Sequence, residues 1–278
     1  MPIIFAPSQT LSHIPDGGQG GSPPHRPAAI RDRFGPAAAA SAARPGHRSG
    51  PDLDAMLALG RDVGARRVLD VACGAGHTAL AFAEQADEVV ALDLTPAMLE
   101  QAASLAAERR LANLRFEPAD AVALPFPDAS FDLVTSRLAA HHYADPAAAV
   151  REAARVLRPG GRLALSDIVA PDDPALDTFL NAFEVLRDAS HVRDHRIGQW
   201  CGFFRDAGLV PEVLGPWPME IGFDAWVERI GTPSPSVAGL RALFDHAPAP
   251  SREAFGISDG YDFRLTVAVI VGRLRAKA

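Results

Sequence analysis

The stretch Val68–Ala79, which reads VLDVACGAGHTA, decides the fold of this 278-residue chain. An apolar run leads into Gly74-Ala75-Gly76 and then into a helical pattern, which predicts a strand, a tight turn and a helix. The spacing Gly74-x-Gly76-x-x-Ala79 also fits the glycine pattern of dinucleotide-binding proteins, so the turn alone leaves the ligand open. A Walker-type phosphate loop is excluded, because Asp70 to Thr78 contain neither lysine nor arginine.

Short apolar runs alternate with helical patterns from this turn onward. The runs are RRVLDVA, EVVALDL, LRFEPAD, FDLVTSR and GRLALSDIVA. Such alternation is typical of βα units that build a parallel sheet. Thr95 followed by Pro96, and later Asp145, mark the starts of two of the helices between the runs.

The alternation stops after Pro171. Helical patterns follow at about 174–188, 196–208, 223–230 and 236–246, with one strand-like run near residues 210–221. The chain then closes with the apolar segment DFRLTVAVIVGRLR, which predicts a strand. We therefore expect a helical insertion or lid at about residues 172–262.

The size and composition favour one large domain with additions. The chain is 48% hydrophobic, which is enough for a substantial core. Residues 1–29 are rich in proline, glycine and serine and lack an apolar period, so we predict a disordered tail there. The folded domain is expected to span residues 30–278.

Charge and cysteine usage narrow the classes of partner. With 27 basic and 34 acidic residues, the net charge of -7 repels a polyanion, so nucleic acid is not expected as a substrate. Cys73 and Cys201 stand far apart, which argues against a disulfide framework and a structural zinc site. The opening MPIIFAPSQT does not fit a secretory signal, and no apolar stretch approaches the roughly 20 residues needed to cross a bilayer. We expect a cytoplasmic protein without membrane insertion.

Carboxylates end three neighbouring runs. Asp93 ends the second run, where its two oxygens can accept hydrogen bonds from both hydroxyls of an adenosine ribose. That geometry serves NAD and S-adenosylmethionine equally. Asp120 ends the third run and Asp70 lies just before the glycines, and three carboxylates suit a ligand with a sulfonium and an ammonium better than a pyrophosphate.

Four pieces of sequence, in this order, carry a family resemblance: VLDVACGAGHTA, VVALDLTPAML, ALPFPDASFDLV and VLRPGGRLALSD. From about Phe34 to the C-terminus, the chain resembles the class I S-adenosylmethionine-dependent methyltransferases. It is most similar to the small-molecule group (methyltransferase type 11) related to ubiquinone and menaquinone biosynthesis methyltransferases. The resemblance implies an α/β fold with a Rossmann-like, seven-stranded, mostly parallel sheet whose last strand is antiparallel, with helices on both faces.

The resemblance also implies which residues bind S-adenosylmethionine. Asp93 would hold the ribose, and Arg137, just after the fourth predicted strand, would approach the methionine end. The remaining residues are Asp70, Ala72, Gly74, Ala75 and Gly76 around the methionine part, Leu94 and Met98 flanking the adenine, and Asp120 with Ala121 at the adenine edge.

One segment departs from the family pattern. Relatives often carry a tyrosine after an FGP-like start, which closes over the cofactor, but FGPAAAASAARPGH has Ser41 at about that place. Arg44 and His47 in the same segment can still meet the cofactor carboxylate, or form a solvated loop. Closure of this segment over the cofactor is therefore not predicted.

Histidines are the candidate catalytic residues. Methyl transfer from a sulfonium is an in-line displacement that needs alignment and exclusion of water, and a histidine base helps when the acceptor is acidic. His141 and His142 follow the fourth predicted strand, at the edge where α/β proteins bind ligands. His191 and Arg193 lie in a stretch that resembles a cover of the acceptor pocket in relatives. A metal is not expected, because no HxxxH or HxE spacing occurs around these histidines.

The leading hypothesis is methyl transfer to an oxygen, carbon or nitrogen of a small, partly apolar metabolite. An NAD-dependent oxidoreductase is the alternative that the glycine pattern and Asp93 leave open. A non-catalytic S-adenosylmethionine-binding protein is a third hypothesis, because the tyrosine is missing near Ser41. The acceptor, the methylated atom, the use of a general base and the oligomeric state, with a homodimer allowed for, stay open at this point.

Overall fold

The structure, a computed structural model, describes residues 49–274. The predicted tail at residues 1–29 and the segment with Ser41, Arg44 and His47 lie outside the described residues. Those expectations stay predictions.

Seven strands within residues 49–274 form one sheet, in the order β3-β2-β1-β4-β5-β7-β6. Neighbouring strands from β3 to β5 are parallel, whereas β7 is antiparallel to both β5 and β6. The expected mostly parallel sheet with an antiparallel last strand is confirmed. The strands are β1 (Arg67–Val71), β2 (Glu88–Asp93), β3 (Leu114–Pro118), β4 (Phe131–Arg137), β5 (Leu157–Ile168), β6 (Leu209–Ile221) and β7 (Phe263–Leu274).

Helices cover both faces of the sheet, as expected. Those before β5 are α1 (Pro51–Asp62), α2 (His77–Ala83), α3 (Pro96–Glu108) and α4 (Pro146–Val156), with a short 3-10 helix at Ala140–His142. Those after β5 are α5 (Pro174–Arg187), α6 (Ile197–Asp206), α7 (Phe223–Glu228), α8 (Ser234–Asp245) and α9 (Ala249–Phe255). In the part of the chain that the structure describes, no helix is both long and apolar enough to span a bilayer.

Alternating strand residues feed two separate cores. Val68 and Leu133 point to the face that Met56 of α1 and Phe82 of α2 cover. Their neighbours Leu69 and Val134 belong to the opposite core, with α4 and α6. Successive strand side chains point to opposite faces, so a strand covered on both sides reads as a continuous apolar run. This explains why VLDVA carries no polar-apolar alternation.

The segment after β5 builds a third core of its own. Aromatic side chains of α5, α7, α8 and α9 pack on the first half of β7 and on the end of β6. Phe183 lies at its centre, with ring contacts to Trp226, Phe244, Phe255 and Phe263. The same segment supplies β6 to the sheet, so it adds both helices and an edge strand.

One of the predicted helix caps is confirmed, one is not, and one short helix was not predicted. Asp145 caps α4 by accepting from the Ala148 amide at 2.8 Å, as predicted. Thr95 precedes α3, but its side chain makes no capping hydrogen bond within the described residues. Helix α9 was not predicted, because a seven-residue helix rich in small and polar residues is too short to show a period.

Candidate active site

The turn after β1 has the backbone that the glycines predict. Ala72, Gly74 and Gly76 all adopt positive φ angles, of 55°, 54° and 84°. A Cβ on Gly76 would lie 2.7 Å from the Cβ of Ala102, so glycine is needed there for α2 to approach α3. A Cβ on Gly74 would meet nothing within 4 Å among the described residues, so this part of the turn borders open space.

Asp93 ties the end of β2 to this turn. Its Oδ2 accepts from the Gly74 amide and its Oδ1 from the Thr95 amide, both at 2.8 Å. Burial raises the pKa of Asp93, and the two amide hydrogen bonds offset part of that rise. Each carboxylate oxygen has a second lone pair, so Asp93 keeps the capacity to accept from a pair of ligand hydroxyls.

Asp70 is buried at the end of β1 with one oxygen unsatisfied. Its Oδ1 accepts from the Thr135 hydroxyl at 2.8 Å, whereas Oδ2 has no hydrogen-bond partner within residues 49–274. Burial raises the pKa of Asp70 to about 7. An unpartnered buried acceptor destabilises a protein by roughly 1–3 kcal/mol, so this oxygen fits a site completed by a positively charged ligand.

The predicted adenine-side residues lie around the β2 and β3 ends. Met98 and Ala75 are buried against each other in a small cluster, and Leu94 is half-buried before α3. Asp120 follows β3, where its Oδ1 accepts from the Val122 amide at 3.2 Å, and Ala121 beside it is buried. The carboxyl ends of β1, β2 and β3 thus bring these predicted residues to one edge of the sheet.

Arg137 ends β4 and is held by a residue that the sequence did not single out. Its Nε donates to Asp52 Oδ2 at 2.6 Å and its Nη2 to Asp52 Oδ1 at 3.1 Å. Ser166 of β5 donates to the same carboxylate at 2.8 Å. Asp52 lies in the first turn of α1, and both it and Arg137 are buried, so this ion pair fastens α1 to the carboxyl edge of the sheet.

The three candidate catalytic histidines come together beside that edge. The ring centroid of His141 lies 4.3 Å from that of His142 and 5.7 Å from that of His191. Arg193, the other residue predicted with His191, instead binds Asp177 of α5 through Nη2 at 2.6 and 2.7 Å. The structure therefore groups the histidines and directs Arg193 away from them.

His141 forms a close pair with Asp167 of β5. The His141 Nδ1 lies 2.7 Å from Asp167 Oδ1, and the His141 amide donates to Oδ2 at 2.8 Å. Burial by itself would lower the pKa of His141, but the attraction of Asp167 outweighs it and raises the pKa to about 9. Asp167 therefore fixes both the ring and the backbone of His141.

The pKa values of His142 and His191 are lowered, in contrast to that of His141. Burial and the neighbouring His141 lower the pKa of His142 to about 4 and that of His191 to about 2. The Nδ1 of His142 lies 3.1 Å from the Ser190 carbonyl oxygen, so the neutral ring carries its proton on Nδ1 and its lone pair on Nε2. The His191 Nε2 lies 3.3 Å from the Asn181 side-chain oxygen.

Buried acidic residues surround these histidines, and the sequence did not predict them as a group. Glu184 and Asp188 come from α5 and its end, and Asp194 precedes α6. Burial raises the pKa of both Glu184 and Asp194. A spacing of 26 residues along the chain separates His141 from Asp167, so only the fold shows that these groups meet.

The sheet order, the glycine turn after the central strand and the carboxylate that ends the neighbouring strand together define a Rossmann-like class I methyltransferase fold. The chain belongs to the family of methyltransferase domains (type 11), which it matches over residues 69–165. It is an S-adenosylmethionine-dependent methyltransferase. The family resemblance is confirmed, and the NAD-dependent oxidoreductase alternative is wrong.

Three relatives illustrate the similarity. The uncharacterized methyltransferase YcgJ of Bacillus subtilis is 42% identical over 209 residues, which are 75% of this chain and 83% of YcgJ. The YcgJ crystal structure gives a TM-score of 0.77 over 81% of this chain and 99% of that chain, at 40% identity. The crystal structure of a putative methyltransferase from Bacillus halodurans gives a TM-score of 0.78 at 34% identity. The match covers 82% of this chain and 100% of that chain. Demethylmenaquinone methyltransferase of Deinococcus radiodurans is 45% identical over 108 residues, 38% of this chain and 44% of that protein.

Proposed function

We propose that this protein transfers the methyl group of S-adenosylmethionine to an oxygen, carbon or nitrogen of a small, partly apolar metabolite. The observation that carries the proposal is the unsatisfied Asp70 oxygen next to the open turn at Gly74, with the histidine cluster on the adjoining strand ends. Parallel strands bring both groups to one edge, where α/β proteins bind ligands. Cofactor and acceptor would then lie side by side.

The residues at the β1 and β2 ends fit the cofactor. Bound S-adenosylmethionine supplies an electrophilic methyl on a sulfonium. Asp70 and the turn from Ala72 to Gly76 would hold the methionine part, with the charge of Asp70 facing the cation. Asp93 would accept from the ribose hydroxyls, and Met98 and Leu94 would enclose the adenine. Asp120 and Ala121 would meet the adenine edge, and Arg137 would act on the methionine end from its fixed position on Asp52.

The histidine cluster would serve the acceptor. His142 is our choice for the general base, because the Ser190 carbonyl holds its Nδ1 proton and so directs the lone pair to Nε2. Asp167 positions His141 beside it. His191 would border the same space from the segment before α6. The proton leaving an acidic acceptor would pass to His142 Nε2 as the methyl is transferred.

Two observations support a small, partly apolar acceptor. The net charge of -7 disfavours a polyanionic substrate. The name of the Deinococcus relative states that it methylates demethylmenaquinone, a small molecule. A homodimer stays a prediction.

Calorimetric titration with S-adenosylmethionine tests the cofactor site. We expect wild type to bind and Asp93→Ala to bind at least about tenfold more weakly, because the loss of one good hydrogen-bonding carboxylate removes about 1.4 kcal/mol or more. Asp87→Asn is the matched control, since Asp87 is exposed and precedes β2 at the opposite end of the strand. Absence of binding by wild type at millimolar cofactor would overturn the proposal.

Formation of S-adenosylhomocysteine with a panel of phenols, acids and amines tests the transfer itself. Wild type should turn over at least one class, and His142→Ala should lower kcat by about 100-fold, the low end for loss of a general base. Cofactor binding by His142→Ala should match wild type. Tight binding without turnover of any acceptor would favour the non-catalytic alternative.

A further inference from the structure

We propose that His141, Asp167 and Asp194 form a binding site for one divalent transition-metal ion, in the histidine cluster beside the methyl-transfer site. Three separate segments supply these ligands: the turn after β4, the end of β5 and the loop before α6. The proposal does not depend on the proposed function, because the ion would bind without cofactor or acceptor.

The geometry of the three side chains is close to that of a coordinated ion. One ligand atom of each residue lies within 4.8 Å of the other two. Nitrogen and oxygen ligands sit about 2.0–2.2 Å from a zinc ion, so two ligands of one ion are at most about 4.4 Å apart. The three ligand atoms thus lie close to the range that one ion spans, and the 2.7 Å contact between His141 and Asp167 would open to admit it.

The carboxylate of Asp194 lacks hydrogen-bond partners among the described residues. Its side chain is buried, and both carboxylate oxygens lack a hydrogen-bond partner within residues 49–274. Its nearest basic atom is His191 Nε2, 4.0 Å from Oδ2. Burying a carboxylate without a partner is strongly unfavourable, so a cation is the natural complement.

The backbone around Asp194 is held in place. The Asp194 amide donates to the Asn181 side-chain oxygen at 2.8 Å, and the Asn181 amide group donates to the Asp194 carbonyl at 3.3 Å. Asn181 is itself fixed on α5 by Asp177. The backbone that carries this carboxylate is thus fixed, in the way that hydrogen bonds behind the ligands orient them in metal sites.

The surrounding charges are predominantly negative. Glu184 Oε1 is buried and has no hydrogen-bond partner in the described part of the chain, and Asp188 accepts from the Ser190 amide and hydroxyl. Arg187 stacks on Trp226 and meets Glu184 at 3.5 Å, so it offsets part of this negative charge, whereas Arg193 binds Asp177 outside the cluster. The field of the cluster therefore attracts a cation.

The ligand chemistry favours Zn²⁺ or a similar ion over Mg²⁺. An imidazole nitrogen with two carboxylates suits zinc, iron and manganese, whereas magnesium prefers oxygen ligands and water. The expectation of no metal rested on the absence of HxxxH and HxE spacing, which detects ligands on one element and not ligands from three segments.

Zinc titration of untagged, EDTA-treated protein tests the site, by calorimetry and by the shift in Tm. We expect wild type to bind one Zn²⁺ and to melt at a higher temperature with it. Asp194→Asn and His141→Gln should bind at least about 100-fold more weakly, since even loss of a group that only hydrogen-bonds to a ligand weakens metal binding about 10- to 100-fold. Asp194→Asn should fold, because neither oxygen of the Asp194 carboxyl makes a hydrogen bond within residues 49–274 that the substitution would remove.

Asp188→Asn is the matched control. It removes the same single charge from the same cluster but leaves the three ligands in place, so its zinc affinity should stay within about tenfold of wild type. The proposal is overturned by a wild type that does not bind zinc, or by equal binding in Asp194→Asn and His141→Gln. Equal losses in Asp188→Asn and Asp194→Asn would also overturn it, because they would show attraction by charge without a defined ligand set.

Discussion

At the scale of one residue, Asp70 is the clearest sign of the proposed cofactor site. Its side chain is buried and one of its oxygens has no partner among residues 49–274. Thr135 satisfies only the other oxygen. Proteins bury an unsatisfied acceptor where a ligand completes the hydrogen bonding, and perturbed carboxylates cluster at such sites.

The raised pKa of Asp70 predicts a pH dependence of stability. The pKa rises from 3.8 in the unfolded chain to about 7 in the fold, so between these values the folded protein keeps a proton that the unfolded chain has lost. The free energy of unfolding should therefore fall as pH rises from about 4 to about 7, by up to about 1.4 kcal/mol per unit from this group, and level off above.

Urea unfolding of wild type and Asp70→Asn from pH 5 to pH 8 measures this contribution. The stability of Asp70→Asn relative to wild type should increase with pH up to about 7, because asparagine has no proton to lose. A difference that stays constant over the whole range would contradict the prediction.

At the scale of elements, a buried ion pair helps to attach the first described helix to the sheet. Asp52 in the first turn of α1 binds Arg137 of β4 and Ser166 of β5. These contacts join a helix to two strands at the carboxyl edge of the sheet. Packing of Met56 on the sheet supplies the apolar part of the same attachment.

Removal of the Asp52 carboxylate should destabilise the protein. Asp52→Ala removes the buried carboxylate that both Arg137 and Ser166 contact, and removing one partner of a buried ion pair lowers stability by about 3 kcal/mol or more. Chemical denaturation at pH 7 measures the effect. Asp54→Ala, in the same first turn but exposed, is the control and should change stability by less than about 0.5 kcal/mol. Similar effects of the two variants would show that the ion pair does not fasten α1.

At the scale of the whole molecule, the two halves of the sheet have different partners. The half from β3 to β4 carries the proposed cofactor residues, and the segment after β5 has its own aromatic core around Phe183. The histidine cluster, with His191 and Asp194 from the segment after β5, lies between the two, and α6 of the same segment packs in the core that contains Leu69. Cofactor binding and acceptor binding should therefore affect different parts of the chain.

Hydrogen exchange tests this division. S-adenosylmethionine should slow exchange most in residues 70–76 and 93–98, because ligands stabilise the segments that they contact and order. Helices α7 to α9 should change little, since their core is separate. The slowing should vanish in Asp93→Ala at the same cofactor concentration. Strong protection of α7 to α9 by the cofactor alone would contradict the division.

The sequence by itself determined the sheet, the glycine turn and the residues that end β1, β2 and β3. These are local properties, because apolar runs form strands and parallel strands place their carboxyl ends at one edge of the sheet. Gly76 is needed because its φ angle is positive and α3 lies close to it. The order of the family motifs added the methyltransferase family. The roles of the individual residues stay predictions.

Only the tertiary structure decided which distant side chains meet. The ion pair of Asp52 with Arg137, the pairing of His141 with Asp167 and the unpartnered carboxylate of Asp194 each join segments far apart in the chain. Residue type and spacing do not encode such contacts, because they arise from the packing of α1 and of the segment after β5 against the sheet. Burial then changes the chemistry of these groups, since charge and hydrogen bonding depend on what surrounds them.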